Sequence, residues 1–370
     1  EYILIPEMLN DKGYLNAHFG KWHLGNEGFY PEDQGFDYNF GGNQTGSPKG
    51  GYFSPYKNPN ILDGPKGEYL TDRLGNEVLN FIDTNQNETF FAYVSFYSVH
   101  TPIQSKKDLQ KKYSLKDGNE NHNRADYAGM IQSVDENIGK IINKIEQLGL
   151  SENTLFIFTS DNGGIRAISN QSPLRAGKGS YYEGGIKVPL IFSWRGKIKE
   201  ASKSYERVSN IDFFPTIQNI IGYKNKDLKL DGIDLNPIFD GRKIEKRALF
   251  YHFPIYLQAY NVQEDNGTDP LFRTRPGSVI IKDNWKLHHY FENDTKELYN
   301  IENDISESYD LSKVNVKKTT ELFNSLNLWR EANNAPIPFE KNIKYDQNFV
   351  DSINLLIIDR KLSGGINTNW

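Results

Sequence analysis

The sequence predicts an α/β fold: a mostly parallel central sheet flanked by helices, followed by a smaller C-terminal domain made of an antiparallel sheet and a helix. Up to about residue 242, strand-like runs alternate with amphipathic stretches, which is the pattern of a parallel sheet covered on both faces. After Arg242, short strand-like runs are separated by Asp-Asn and Asn-Asp turns, which indicates an antiparallel sheet. We therefore expect one domain over residues 1–242 and a second over residues 243–370.

Apolar residues at helical spacing predict helices over residues 4–12, 71–83, 124–148 and 313–333, with a further helix beginning at Asp212. Thr71 is the expected N-cap of its helix, and Gly149 follows the clearest helix, 124–148, as a stop signal. Apolar runs predict buried strands at 14–19, 90–97, 154–159 and 188–194, of which 90–97 is apolar enough to be central. Shorter runs predict the second sheet at 278–282, 285–290 and 296–299. From Ala335 onward we expect an extended tail.

Composition excludes several classes of function. The 43 basic and 48 acidic residues give a net charge of −5, which argues against a general nucleic-acid binder. No apolar stretch approaches the roughly 20 residues that cross a membrane, so we expect no membrane span. The absence of cysteine excludes disulfides, thiolate zinc sites and a cysteine nucleophile within these 370 residues.

Three of the predicted strands end in a small polar cluster. Lys21 and His23 follow the first strand, His100 follows the second, and Asp161 and Asn162 follow the third. Ligands bind outside the carboxyl ends of parallel strands in open α/β sheets. We therefore expect these side chains to converge on one active site.

The third cluster, Asp161-Asn162-Gly163-Gly164, is the strongest local signal. A carboxylate beside an amide oxygen supplies the hard oxygen ligands that Ca²⁺ and Mg²⁺ prefer, rather than those that zinc prefers. The alternative is an Asp-Asn-Gly turn without a metal, since such tripeptides are common turn formers. The position after a predicted buried strand favours the metal.

Lys21 and His23 place a cation and a titratable imidazole two positions apart, which suits an anionic group that needs charge and proton transfer. The alternative is a solvated loop in which Trp22 packs. His100 precedes Thr101-Pro102; a lone histidine is more often structural, but its place after the strand favours a function. His18 lies inside the first strand and is given no role.

Two further residues are weaker candidates. Lys178 lies in a glycine-punctuated loop, residues 174–185, where Gly177 and Gly179 would allow close approach to a ligand; the alternative is a solvated lysine in a long turn. The loop is not a phosphate-binding P-loop, because the spacing differs and no helix follows the lysine. His252 begins the second domain among many aromatic residues, which suggests a contact with a saccharide substrate, although most of those rings will be core.

An ordered series of motifs resembles the type I, formylglycine-dependent sulfatases of the alkaline-phosphatase-like superfamily. The series covers nearly the whole chain from Ile3 to about Pro338, and its order makes it far more specific than any one piece. It consists of residues 19–25 (FGKWHLG), 100–102 (HTP), 160–164 (SDNGG), 174–189, 211–216 (IDFFPT) and 297–300 (ELYN).

The resemblance implies an alkaline-phosphatase-like α/β domain with a smaller C-terminal sheet-and-helix domain, and hydrolysis of a sulfate ester at a calcium site. In that family a hydrated formylglycine attacks sulfur, the alcohol leaves, and elimination regenerates the aldehyde. By resemblance, Lys21 and Lys178 would bind sulfate oxygens, His100 would protonate the leaving oxygen, and His23 would assist the elimination.

The resemblance also implies cofactors and partners. Asp161 and Asn162 would supply part of the shell of a Ca²⁺ ion, with Mg²⁺ as runner-up. The expected partners are a sulfated carbohydrate substrate, with His252 as a contact, and a formylglycine-generating maturation enzyme. The family's usual location predicts a periplasmic or secreted protein.

One part of the family pattern is not found in residues 1–370. The family makes its formylglycine from Cys or Ser in a C/S-x-P-x-R motif upstream of the Lys-Trp-His segment, with two metal-binding aspartates further upstream. Residues 171–175 (QSPLR) match the Pro and Arg spacing, but Gln171 cannot become an aldehyde, so we interpret that match as chance. We expect the nucleophile to be supplied by a segment upstream of Glu1 and residues 1–370 alone to be inactive.

Two other functions stay open at this point. One is a truncated, non-catalytic sulfatase homologue that binds sulfated glycans through its lysines. The other is a phosphatase or phosphodiesterase of the same superfamily. Such two-metal sites typically need a histidine directly after the strand-end aspartate. Asn162 occupies that place, which favours a single hard cation.

Overall fold

A computed structural model of the chain describes residues 2–119, 122–225, 227–261, 264–269, 271–340 and 342–362. The chain forms two compact units. The first comprises the residues up to Gly118 together with Asn123–Ile157 and Ile191–Ile244. The second comprises Asn119–His122, Phe158–Leu190 and the residues from Glu245 onward. The loop that carries Lys178 is therefore part of the second unit.

The strands are, in chain order, β1 (Leu15–Gly20), β2 (Tyr38–Phe40), β3 (Phe90–Ser95), β4 (Phe156–Thr159), β5 (Leu190–Ser193), β6 (Ala248–Phe253), β7 (Leu257–Gln258), β8 (Phe272–Thr274), β9 (Gly277–Lys282), β10 (Trp285–Tyr290) and β11 (Thr295–Asn300). The α-helices are α1 (Ile5–Asn10), α2 (Leu70–Thr84), α3 (Lys107–Ser114), α4 (Ala125–Gln147), α5 (Glu183–Ile186), α6 (Phe213–Ile220), α7 (Asn236–Phe239), α8 (Val316–Ala332) and α9 (Gln347–Leu362). Within the described residues, no helix is long and apolar enough to cross a membrane.

The first unit is built on a parallel sheet with the strand order β2-β1-β3. Helices α2 and α4 supply much of its apolar core, because their buried residues recur at helical spacing. The core joins side chains of β1 to those of the two helices, among them Ala17, Phe19, Leu74, Val78, Met130 and Ile141. The predicted parallel sheet flanked by helices is confirmed.

Three local details differ from the sequence-based expectation. The central strand is β1, and β3 lies at an edge of its sheet. Strands β4 and β5 pair in a separate two-stranded sheet, so they are less buried than their apolar sequences predict; Ile191 is 57% exposed. Thr71 is not the N-cap of α2, since the helix begins at Leu70 and the Thr71 hydroxyl instead bonds the Ser98 hydroxyl at 2.6 Å.

The second unit contains the predicted antiparallel sheet, with the order β11-β10-β9-β6. Because side chains alternate across a strand, β9 contributes to two apolar clusters. Ile280 packs with Leu322 and Leu326 of α8, whereas Val279 and Ile281 pack with residues of the segment that carries Lys178. The sheet thus has α8 on one face and the Lys178 segment on the other.

The C-terminal part of the chain follows α8. The described residues between 335 and 346 form neither helix nor strand. Helix α9 then covers Gln347–Leu362, which the sequence analysis does not predict. The end of the expected tail, residues 363–370, lies outside the described residues.

His18 in β1 makes the stability of the first unit depend on pH. Its side chain is fully buried, and that burial lowers its pKa from 6.5 to about 4. The unfolded chain therefore binds a proton that the folded chain excludes as the pH falls from 6.5 to 4. We expect this histidine alone to reduce the free energy of unfolding by about 3 kcal/mol across that window.

The measurement is denaturant unfolding at pH 7 and pH 4.5 for the wild type and for His18→Gln. The variant should lose less stability on acidification than the wild type does. The exposed His122→Gln is the control and should behave like the wild type. An equal acid sensitivity of wild type and His18→Gln would show that His18 is not the group responsible.

Candidate active site

The carboxyl ends of β1 and β3 lie side by side, with Gly20 opposite Ser95. The Lys21 amide donates to the Ser95 carbonyl oxygen at 2.8 Å, and the Ser95 hydroxyl donates back to the Lys21 carbonyl oxygen at 2.5 Å. Gly20 has a φ of +105°, and a Cβ there would collide with the Ser95 carbonyl oxygen. The glycine therefore permits the close approach that fixes the backbone of Lys21 at the edge of the sheet.

His18 contacts the same peptide from inside the sheet. Its Nε2 lies 3.2 Å from the Lys21 carbonyl oxygen, and its Nδ1 lies 3.3 Å from Oδ1 of Asn39. Its ring also packs edge-on against Trp22 and Phe36. His18 is thus a packed histidine, as the sequence indicates, and it also supports the residue that begins the first polar cluster.

His23 occupies an unusual backbone conformation at the surface. Its φ is +59°, and its amide donates to the Asn43 carbonyl oxygen at 3.0 Å. The imidazole lies against Gly46, where a Cβ would come within 2.5 Å of the ring. A hydrogen bond and a side-chain-free neighbour therefore hold an exposed imidazole next to Lys21 in the chain.

His100 lies in a turn after β3, and hydrogen bonds from the buried Tyr52 hydroxyl stabilise this turn. The hydroxyl of Tyr52 donates to the carbonyl oxygens of Tyr97 and His100, at 2.7 and 2.8 Å. Burial raises the pKa of Tyr52, which keeps the hydroxyl protonated as a donor. The His100 Nδ1 lies 2.9 Å from the Thr101 carbonyl oxygen; that oxygen can only accept, so Nδ1 carries the hydrogen. Sequence analysis missed Tyr52, because nothing local distinguishes it among 22 tyrosines.

In the second unit, the segment after β4 interlocks with the Lys178 loop. The Lys178 amide donates to the Gly164 carbonyl oxygen, and the Gly163 amide donates to the Gly185 carbonyl oxygen, both at 2.9 Å. A Cβ on Gly177 would lie 2.5 Å from the Gly164 carbonyl oxygen. The glycines of both motifs therefore serve backbone-to-backbone packing, rather than the approach of a ligand that the sequence suggested for Gly177.

The predicted metal ligands carry suitable oxygens. Oδ1 of Asp161 accepts a hydrogen bond from the Asn162 amide at 2.9 Å, and the Asn162 side chain donates its Nδ2 to the Gly163 carbonyl oxygen. The remaining side-chain oxygens, Oδ2 of Asp161 and Oδ1 of Asn162, accept no hydrogen bond from any described residue. A Ca²⁺ ion takes six to eight oxygens. No cluster of three or more His, Cys, Asp or Glu side chains suited to a metal occurs among the described residues, so this pair fits part of a shell.

Lys178 is half-buried, and its ammonium makes no hydrogen bond or ion pair with any residue that the structure describes. It borders a small, open cleft in the second unit. The cleft is lined by Arg166, Ala176, Gly177, Lys178, Ser180, Asp265 and Arg273. An unpaired cation beside open space is consistent with the anion-binding role predicted for this lysine.

His252 is tied into the second unit by both ring nitrogens. Nδ1 lies 2.8 Å from the Ser278 hydroxyl, and Nε2 lies 2.9 Å from the Pro336 carbonyl oxygen. Burial lowers the pKa of His252. Its predicted contact with a substrate stays a prediction, and that contact would have to replace one of these hydrogen bonds or use the ring face.

A buried ionic cluster that the sequence did not reveal lies behind the Lys178 loop. The ammonium of Lys286 lies 3.1 Å from Oε1 of Glu183 and 2.9 Å from Oε1 of Glu307, and all three side chains are almost fully buried. Glu307 also accepts a hydrogen bond from the Glu183 amide at 2.6 Å. Burial alone would raise the pKa of Glu307, but the Lys286 ammonium and the His288 ring outweigh it and lower the pKa.

The sequence conceals this cluster for a simple reason. Lys286 and His288 occupy alternate positions of β10, on the opposite face from the core residue Leu287. Alternating polar residues in a strand usually mark a solvent face. Here that face is covered by the segment that carries Lys178, so the polar side chains are buried and must pair with one another.

Comparisons with known proteins agree with the motif series. The family model described as "Sulfatase" matches residues 2–223, and the model described as "N-sulphoglucosamine sulphohydrolase, C-terminal" matches residues 177–331. A protein named "Sulfatase" from Formosa agariphila is 37% identical over 308 residues, which cover 75% of this chain and 53% of that protein. The N-acetylgalactosamine-6-sulfatase of Mus musculus is 32% identical over 279 residues, which cover 67% of this chain and 51% of that one.

A solved structure resembles nearly the whole fold. The crystal structure of Ps i-CgsB in complex with k-i-k-neocarrahexaose superposes with a TM-score of 0.71 at 28% identity, covering 98% of this chain and 80% of that one. The chain spans about half the length of the curated relatives it matches.

Proposed function

The chain belongs to the sulfatase family, and we propose that the full-length protein is a sulfuric ester hydrolase that acts on a sulfated saccharide. The observation that carries the proposal is the match of the sulfatase family model to residues 2–223. That stretch includes both strand-end clusters of the first unit and the Asp161-Asn162 pair. A match of this length supports a shared reaction far more strongly than any single motif would.

The saccharide part of the proposal has separate support. The similar structure of Ps i-CgsB is a complex with k-i-k-neocarrahexaose, and the mouse relative is named N-acetylgalactosamine-6-sulfatase. By family resemblance we also propose an exported protein, periplasmic or secreted, that is matured by a formylglycine-generating enzyme.

We assign the two lysines to the sulfate group. Lys21 and Lys178 would bind sulfate oxygens and stabilise the negative charge that grows in the transition state. The rigid backbone of Lys21 between β1 and β3 favours such a role, because a group that is already positioned loses little entropy when the substrate binds. The Lys178 ammonium, which has no partner among the residues that the structure describes, favours it as well.

We assign the two histidines to proton transfer. In its imidazolium form, His100 would protonate the oxygen of the departing alcohol from Nε2 and keep the hydrogen on Nδ1, which the Thr101 carbonyl oxygen accepts. His23 would accept or return a proton during release of the sulfate. His252 is retained as a substrate contact of the second unit.

Two groups outside the described residues complete the proposal. Ca²⁺, with Mg²⁺ as the alternative, would be held in part by Asp161 and Asn162, and it would stabilise negative charge on oxygen. A formylglycine would supply the nucleophile; residues 1–370 contain no cysteine and no Ser-x-Pro-x-Arg sequence, so it would lie outside them.

Calcium-dependent release of sulfate tests the proposal. We expect the full-length protein, co-expressed with a formylglycine-generating enzyme, to release sulfate from sulfated oligosaccharides. Chelation should abolish the release and Ca²⁺ should restore it, because the ion balances charge at the reacting group. Asp161→Ala should need much more Ca²⁺ for half-maximal activity, whereas the exposed Asp240→Ala should not.

Other outcomes point elsewhere. Release of phosphate but not sulfate would favour the phosphatase alternative, and binding without turnover would favour the non-catalytic one. Equal calcium requirements of wild type and Asp161→Ala would remove Asp161 from the metal shell. Sulfate release by residues 1–370 alone would contradict a nucleophile outside them.

A further inference from the structure

We propose that the cleft beside Lys178 is a subsite for a second anionic substituent of the saccharide, recognised by Arg166 and Arg273. The inference rests on the proposed function, because it identifies the substrate as a saccharide with at least two anionic groups. All the residues of the cleft belong to the second unit, so the subsite is a property of that unit alone.

Charge is the first support. The lining holds three cationic side chains, Arg166, Lys178 and Arg273, against one carboxylate, Asp265, which leaves a local charge of about +2. The chain as a whole carries −5. A concave positive site on an acidic protein concentrates anions and excludes cations.

The guanidinium of Arg273 is held in place on several sides. Its Nε donates to the Gln258 carbonyl oxygen at 2.7 Å, and its Nη1 donates to the Lys178 carbonyl oxygen at 3.1 Å. Its Cζ lies 3.5 Å from the ring centroid of Tyr260. Nη2 donates to no residue that the structure describes. A preorganised arginine with an unused donor is well suited to bind an oxyanion, because the fold already holds the guanidinium in one orientation and binding orders it little further.

Arg273 is also linked directly to the residue that we assign to sulfate binding. Its hydrogen bond ends on the backbone of Lys178 itself, and Gly179 has no side chain to block that approach; a Cβ there would lie 2.6 Å from Nη1. The second anion would therefore be bound next to the reacting sulfate, on the same sugar or an adjacent one.

Arg166 supplies the second cation of the subsite. Its Nη1 and Nη2 make long hydrogen bonds to the Leu174 carbonyl oxygen and the Ser172 hydroxyl, at 3.2 and 3.4 Å. Asp265 forms no ion pair within 4.0 Å with either arginine among the described residues, although its charge acts on both arginines from a longer distance, as that of Glu264 does on Arg166. Its Oδ2 instead accepts the backbone amides of Tyr260 and Asn261.

The test compares the binding of two probes by calorimetry: a sulfated galactan disaccharide with one sulfate ester, and the same disaccharide with two. The protein is the full-length form produced without the maturation enzyme, so that the probes are not consumed. We expect the wild type to bind the disulfated probe about tenfold more tightly. Arg273→Met should abolish that preference while changing the affinity for the monosulfated probe by less than about twofold.

Further variants make the result decisive. Arg273→Lys should keep part of the preference, because it keeps the charge but loses the planar donor pair. Arg166→Met should reduce the preference independently, and it decides the question if Arg273→Met fails to fold. Lys178→Met should lower the affinity for both probes. Replacement of the exposed Arg242 by methionine should change neither affinity.

The inference is overturned if the wild type shows no preference, or if the preference survives in both Arg273→Met and Arg166→Met. It is also overturned if Arg273→Met weakens both probes equally. Sulfate release by the matured protein is a separate readout. Turnover without a preference would overturn only this inference, and a preference without turnover would overturn only the proposed function.

Discussion

Replacing His100 with alanine is expected to lower kcat on a sulfated saccharide by about 10²–10⁴-fold, the usual contribution of a positioned general acid. A sugar alkoxide is a poor leaving group, so the departing oxygen must gain a proton as its bond to sulfur breaks. Because Nδ1 keeps its hydrogen on the Thr101 carbonyl oxygen, His100 would supply that proton from Nε2 in its doubly protonated, imidazolium form. Initial rates of sulfate release by the matured full-length protein measure the loss.

The choice of leaving group distinguishes this role from a structural one. Hydrolysis of a nitrophenyl sulfate releases a nitrophenolate, which is stable as an anion and needs little protonation. His100→Ala should therefore impair the hydrolysis of this substrate far less. The alkaline limb of the pH–kcat profile on the saccharide should also disappear in the variant. The exposed His122→Ala should match the wild type. An equal loss on both substrates would mean that His100 supports the fold or the binding of sulfate, and not the leaving group.

Replacing Lys286 with methionine is expected to reduce the free energy of unfolding by about 3–5 kcal/mol, the usual effect of removing one partner of a buried ion pair. The variant would leave Glu183 and Glu307 buried side by side without the ammonium that both of them face, and Glu183 would keep a longer contact, 3.9 Å, with the exposed Lys187 ammonium. Two buried carboxylates destabilise the fold both because they have lost their hydration and because they repel each other. Denaturant unfolding measures the change.

Two matched variants test the electrostatic origin of that loss. Glu307→Gln should reduce the free energy of unfolding less than Lys286→Met does, because it leaves one lysine paired with one glutamate. Lys282→Met, on the neighbouring strand β9, removes a lysine whose pairing with Glu321 is solvent-exposed at 4.0 Å, and it should cost less than about 1 kcal/mol. A loss below about 1 kcal/mol in Lys286→Met, or a larger loss in Glu307→Gln, would contradict the account.

The cluster also connects stability to the candidate site. Glu183 lies near the end of the loop that carries Lys178, where α5 begins, and its amide donates to the Glu307 carboxylate. Arg175, at the other end of that loop, donates to the Glu307 carbonyl oxygen at 2.8 Å. The segment that presents Lys178 is therefore held at both ends by one residue of the C-terminal part of the chain.

Local sequence was sufficient for many of the longer elements and their type, although it did not reveal α3, β6 or α9. Helix α4 was predicted over 124–148 and is observed over Ala125–Gln147, and the three C-terminal strands pair as the turns between them indicate. Local sequence was less informative about burial. The apolar runs of β4 and β5 predict buried strands, yet these strands pair with each other and keep Ile191 exposed.

What the sequence determined by itself was the type of several long strands and helices, the polar clusters after three strands, and membership of a family. Each depends on residues close together in the chain, through hydrophobic periodicity, turn chemistry or a continuous motif. The tertiary structure alone decided which distant groups meet: Lys286 with Glu183 across 103 positions, Tyr52 with His100 across 48, and Arg273 with the Lys178 carbonyl across 95. Such contacts depend on how strands pair and which faces become covered, and no local pattern of polar and apolar residues carries that information.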